Sequence, residues 1–181
     1  MTQEAGRTLT IEETVHIPED LDDLPRIGLL AAVDPAFADL AYYGRGPLEN
    51  YADRCLGTPV ARYTSNVDAE YVPYVTPQAH GNHTAVRSVE LRAAALGQTL
   101  QARFAVPGEF SVSRYSDAAL AAARHPTDLI ADDVLHLHLD HRQRGLGTAS
   151  CGPDTLPAYL IGHGEHRFAL QLHLSGAAPG A

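Results

Sequence analysis

Apolar and polar residues alternate with period two along much of the chain. Leu9, Ile11, Val15 and Ile17 alternate with Thr8, Thr10, Glu12, Thr14 and His16. Leu100, Ala102, Phe104 and Val106 alternate with Thr99, Gln101 and Arg103. Leu135, Leu137 and Leu139 alternate with His136, His138 and Asp140, and Phe168, Leu170, Leu172 and Leu174 follow the same rule. Successive strand side chains point to opposite faces, so each run predicts a strand with one apolar face on a core. Ile27 to Val33 is continuously apolar and predicts a strand buried on both faces.

Turn signals separate these runs: Gly44-Arg45-Gly46-Pro47, Gly81-Asn82, Pro107-Gly108, and Gly145 to Pro157. Strands joined by such loops, without regular helix alternation, predict an all-β antiparallel sandwich. One short helix is expected, capped by Ser116 or Asp117, filled by Ala118 to Arg124 and stopped by Pro126. Residues 176–181 form a small-residue tail expected to fray.

Composition narrows the partners. The chain has 181 residues, enough for one domain with a sizeable core. Its formal net charge is −9, and its 13 basic residues are all arginines without a basic stripe. That argues against nucleic acid and anionic membrane. No apolar run is long enough to span a bilayer, and the N-terminus carries no signal-peptide pattern, so a cytoplasmic location is expected. Cys55 and Cys151 lack zinc-site spacing and read as two free thiols in a reducing compartment.

Four segments carry a resemblance. They are YYGRGPLENYADR (Tyr42 to Arg54), YVPYVTPQAHGN (Tyr71 to Asn82), FSVSRYS (Phe110 to Ser116) and LDHRQRGLGTASCGP (Leu139 to Pro153). In this order and spacing, from about Thr8 to Leu174, the chain resembles the C-terminal, small-chain module of the large β-galactosidases of glycoside hydrolase family 2. The segment Leu24 to Leu29 fits the strand before the first motif.

The resemblance implies a large twisted antiparallel supersandwich like that of galactose mutarotase. The family module is longer at its N-terminal side, so residues 1–175 would be a partial module with unpaired strand edges. The function implied is hydrolysis of terminal β-D-galactosides by the whole enzyme. Glycoside hydrolysis needs two carboxylates flanking the scissile bond; in the family both lie on a separate (β/α)₈ barrel. No catalytic residue or cofactor is therefore expected on this chain, and the isolated chain should be inactive. Any divalent metal or sodium would belong to the barrel module. The implied partners are the remaining β-galactosidase domains or large subunit, the galactoside, and other copies in an oligomeric enzyme.

The same resemblance singles out Cys151 as a substrate-binding residue. The loop after the LDxRQxGLG strand reaches the sugar site in the family, and many members carry tryptophan where Cys151 stands. Cysteine offers no comparable aromatic platform. His136, His138 and Asp140 share one strand face and have the residue types of a metal site, but a polar face, wetted by solvent or covered by another module, is the better reading, and no metal is assigned. Glu49, Asn50 and Asp53 are read as fixing loop backbone or pairing with Arg54, and Arg114 and Tyr115 likewise as structural. Relatives more often carry Glu and Asn before Gly81 and Arg at position 83; Ala79, His80 and His83 stand here. Two other readings are a stand-alone carbohydrate-binding sandwich, which needs an exposed aromatic row, and a mutarotase-like sugar epimerase, which needs a His–carboxylate pair in a groove.

Overall fold

The computed structural model describes residues 6–148 and 151–176. Its strands are β1 (Arg7–Ile17), β2 (Arg26–Val33), β3 (Asp39–Arg45), β4 (Val60–Asn66), β5 (His83–Ala93), β6 (Gln98–Ser113), β7 (Leu135–Gln143) and β8 (Gly164–Gly176), with one helix, α1 (Asp117–Ala122), between β6 and β7. All strand pairs are antiparallel. The order is β1-β8-β6-β5-β3-β4, with β7 and then β2 branching from β6.

Register explains the two faces of the main sheet. Leu9, Leu172, Ala102, Val89, Tyr42 and Tyr63 stand in one row from β1 to β4. The adjacent row, Thr8, His173, Gln101 and Glu90, is polar. It is tied by Thr8 Oγ1 to His173 Nδ1 at 2.9 Å and Gln101 Nε2 to Glu90 Oε1 at 2.7 Å. A period of two thus sorts core from solvent.

β6 builds the second layer. It pairs with β8 up to Phe104 and with β7 from Glu109 onward. Pro107 and Gly108, expected to make a loop, lie inside this single strand where it changes partner. Proline lacks a ladder donor, and it stands where the pairing with β8 has ended and that with β7 has yet to begin. Leu135, Leu137 and Leu139 of β7 pack with Leu40, Tyr42, Val89, Leu91 and Leu170 of the main sheet in one core. Burying each such leucine contributes roughly 1.5–3 kcal/mol.

Burial departs from the sequence reading in two strands. β2 pairs only with β7 among the described residues and leaves Leu30 59% exposed, so it is an edge strand rather than one buried on both faces. The doubly buried strand is β7, whose polar face carries His138 and Asp140 into the interior. In β1, Ile11 packs on the core but Leu9 remains 57% exposed at its far end. The helix begins as expected, with Ser116 Oγ accepting from the Ala119 amide, but ends at Ala122, before Pro126. Gly176 still belongs to β8, opposite Gln98, and residues 177–181 lie outside the described residues. Among the described residues no helix is long and apolar enough to cross a membrane.

Candidate functional site

The loops after β3, before β5 and after β7 meet at one end of the sandwich. Their junction is built on Asn50, which is fully buried. Its side-chain amide donates to the carbonyls of Arg45 and Leu48 at 3.1 and 3.0 Å. Its Oδ1 accepts from the Thr84 amide at 2.9 Å and the Thr84 hydroxyl at 2.6 Å. These four bonds tie the loop after β3 to the start of β5 and satisfy the buried amide itself. Asn82 extends the network, donating to the Asn50 carbonyl at 3.1 Å and to Glu109 Oε2 at 2.7 Å.

Glu49 gathers the exposed side of the same loop. Its carboxylate accepts from Tyr74, Arg54 and, at 2.9 Å, the Gly81 amide. Gly81 takes φ +67° and abuts the Glu70 carbonyl, as its turn role requires. His83 is fully buried, with Nε2 2.7 Å from Glu70 and Nδ1 3.0 Å from the Arg45 carbonyl. Arg114 pairs with Asp68 through both Nε and Nη2 and holds that carboxyl below its usual range.

Asp53 reaches the loop after β7. Its carboxylate accepts from the Leu146 amide at 3.0 Å and the Gly147 amide at 2.8 Å. It is Glu49, not Asp53, that pairs with Arg54. Gly147 has φ +60° and would drive a Cβ to 2.6 Å from the Thr155 nitrogen, so both conformation and close approach demand glycine. Cys151 is exposed, and its amide donates to the Thr148 carbonyl at 2.9 Å. Beside it, Leu146, Thr148, Pro153, Leu156 and Tyr159 line a cavity of about 510 Å³. A neighbouring cavity of about 710 Å³ is lined by Leu48, Leu56 and Val72. Asp53 and Arg54 border both. Glu49, Asp53, Glu70 and Asp154, the carboxylates at these cavities, each have a protein hydrogen-bond partner, so they act by fixing loops.

A second polar cluster lies deeper. Asp140 is 1% exposed, with Arg26 Nη1 3.6 Å away. Burial pushes its carboxyl up to about 7, with Glu109 and Asp117 adding to the rise and Arg26 opposing it. Glu109 is likewise raised by burial, while bonds from Asn82 and the Gln143 amide work against the rise. The neighbouring polar positions on β7 face separate acids: His136 Nε2 is 2.8 Å from Asp132, and His138 Nε2 is 3.5 Å from Asp117. His138 and Asp140 are thus enclosed, with Asp117 at the start of α1 and the Arg26 side chain beside them, rather than wetted by solvent. Among the described residues no group of three or more His, Cys, Asp or Glu side chains is arranged to hold a metal ion. Cys55 and Cys151 are both free.

Turn residues mark these loops in the sequence, but nothing local marks the ties between them. Asp53 and Gly147 are 94 positions apart, and no local pattern joins them. Nor does alternation reveal that Asp140 is enclosed.

Residues 2–172 match the family model described as β-galactosidase small chain. A β-galactosidase of Vibrio cholerae is 33% identical over 166 residues, covering 91% of this chain and 15% of that protein. One of Aeromonas hydrophila is 36% identical over 149 residues, covering 80% of this chain and 14% of the relative. One of Pseudoalteromonas haloplanktis is 29% identical over 169 residues, again covering 91% and 15%. The chain thus spans about 15% of the length of the first and third of these relatives. With its fold and all four motif segments inside the matched region, the chain belongs to the β-galactosidase small-chain family.

Proposed function

We propose that this chain is the part of a β-galactosidase that walls the sugar site, while the paired carboxylates that cleave terminal β-D-galactosides stand on the rest of the enzyme. The observation that carries the reading is the family match over residues 2–172 together with the loop end just described, where the arms around Cys151 project beyond β7. Binding residues concentrate on loops held by a rigid scaffold, and the Asn50 and Asp53 networks supply that scaffold. Cys151 is the substrate-facing residue, exposed at the turn beside the 510 Å³ cavity.

The partner is the barrel-bearing remainder of the enzyme, on the same chain or as a large subunit, in an oligomeric whole. Leu48 and Leu56, 73% and 103% exposed, suit burial against it. Metal ions and sodium, where the enzyme uses them, belong to that remainder. Two free cysteines suit a reducing cytoplasm.

Complementation tests the reading. The purified chain alone should leave a chromogenic β-galactoside uncleaved. Adding the barrel-bearing remainder should restore turnover. Hydrolysis by the chain alone, with host enzyme excluded, or full activity of the remainder without the chain, overturns it.

A further inference from the structure

We propose that Asp53 and Arg144 are positioning residues that jointly set where Cys151 stands against the sugar; the proposal rests on the reading that this loop walls the galactoside site. The two residues grip different arms of the loop. Asp53, from the first motif loop, accepts from the Leu146 and Gly147 amides at 3.0 and 2.8 Å. Arg144 follows β7 and is itself anchored, its Nε donating to Asp23 at 2.6 Å and its backbone amide to the Pro25 carbonyl at 2.9 Å. From there it spans the loop. Nη1 donates to the Gly145 carbonyl at 3.2 Å and to Thr155 Oγ1 at 2.8 Å, and Nη2 to Asp154 at 2.9 Å.

The arms are also joined to each other. Thr155 Oγ1 donates to the Gly145 carbonyl at 2.9 Å, and the Thr148 amide to the Pro153 carbonyl at 3.1 Å. The Cys151 amide then closes on the Thr148 carbonyl at 2.9 Å. The backbone at Cys151 is therefore referenced to β7 through Arg144 and to the β3 loop through Asp53. Both side chains are chemically specific for the task. A carboxylate offers an acceptor to each of two amides, whereas an asparagine offers one acceptor and turns an N–H toward the other amide. A guanidinium fork reaches several acceptors at once, whereas a lysine is a single point charge.

The test uses the full-length enzyme containing this module, with Asp53→Asn, Arg144→Lys and Arg144→Met. Two quantities are read: KM against kcat on a chromogenic β-galactoside, and the alkylation rate of Cys151 by iodoacetamide, followed by peptide mass spectrometry with and without galactose. Asp53→Asn and Arg144→Met should raise KM about tenfold while kcat stays within about twofold, because ground-state and transition-state contacts are lost together. Arg144→Lys should fall between. In the variants with raised KM, galactose should shield Cys151 less than in the parent. An unchanged KM with shielding intact overturns the positioning role and leaves the wall reading standing. A fall in kcat matched by a lowered melting temperature in all three variants overturns it as well, since that marks a structural role alone. If galactose fails to shield Cys151 in the parent enzyme, the wall reading itself falls and takes the proposal with it.

Discussion

His83 and Glu70 meet inside the protein, Nε2 to Oε2 at 2.7 Å, with His83 0% and Glu70 7% exposed. The other ring nitrogen faces the Arg45 carbonyl at 3.0 Å. Both imidazole nitrogens therefore have a fixed neighbour at the junction of three loops. Removing one member of such a buried pair strands the other. Glu70→Ala should destabilise the enzyme by about 1–3 kcal/mol. Glu70→Gln keeps an acceptor for Nε2 and should cost less. Denaturant unfolding of the parent and both variants checks this, and equal midpoints for Glu70→Ala and the parent would contradict it.

Asp140 predicts a pH dependence of known sign. Its folded-state value of about 7 lies above the ordinary 3.8, chiefly because burial disfavours the charge. Between those values the folded chain holds a proton that the unfolded chain has released. The resulting stability is full at the acid end, falls as pH rises through about 7, and stays lost above it. Asp140→Asn removes the titrating group. The stability of this variant relative to the parent should therefore rise between pH 5 and pH 8, by on the order of a few kcal/mol. Urea midpoints at the two pH values measure it; a difference independent of pH would sink the assignment.

How much of this was legible beforehand differs between fold and site. The strands around Leu137, Leu172 and Ala102 were readable because burial of one face writes period two into the sequence. β2 misled because Ile27 to Val33 is apolar throughout, while its edge position is a property of topology. β7 differs in the opposite way: its polar face reads as open to solvent or to another module, whereas Asp117 of α1 and Arg26 of this chain stand beside the buried His138 and Asp140. At the loop end, turn chemistry at Gly81 was visible locally. The contact of Asp53 with the Leu146 and Gly147 amides was not, because the chain returns from 93 and 94 positions away.

The apolar face of the main sheet runs past its cover toward β1. Leu9 is 57% and Leu174 38% exposed, in line with Leu172 and Leu100 across β8 and β6. β1 pairs only with β8 among the described residues, so an open strand edge adjoins this apolar strip. Such an edge invites pairing with another chain. The isolated chain should therefore self-associate, and Leu9→Lys should shift it toward monomer in sedimentation velocity. A monodisperse monomer at tens of micromolar before substitution would rule this out.

The side chain of Cys151 stands at an exposed turn. The turn that carries it is held from below by Thr148, and the arms of that turn are fixed by Asp53 and Arg144. A larger residue at this position can extend outward without entering the core, because Cys151 is exposed. Tryptophan would supply an aromatic face that cysteine lacks. An aromatic contact of this kind contributes about 0.5–1.5 kcal/mol beyond area burial. Cys151→Trp in the full-length enzyme should then lower KM for a galactoside by about two- to tenfold. On the reading that this loop walls the sugar site, it should also change the ratio of hydrolysis to transfer onto an added sugar acceptor. The melting temperature should stay within about two degrees, as expected for a surface substitution. Steady-state kinetics with and without acceptor, alongside thermal melts, give both readouts. Kinetics and acceptor ratio unchanged in a normally folded variant would remove Cys151 from the sugar site.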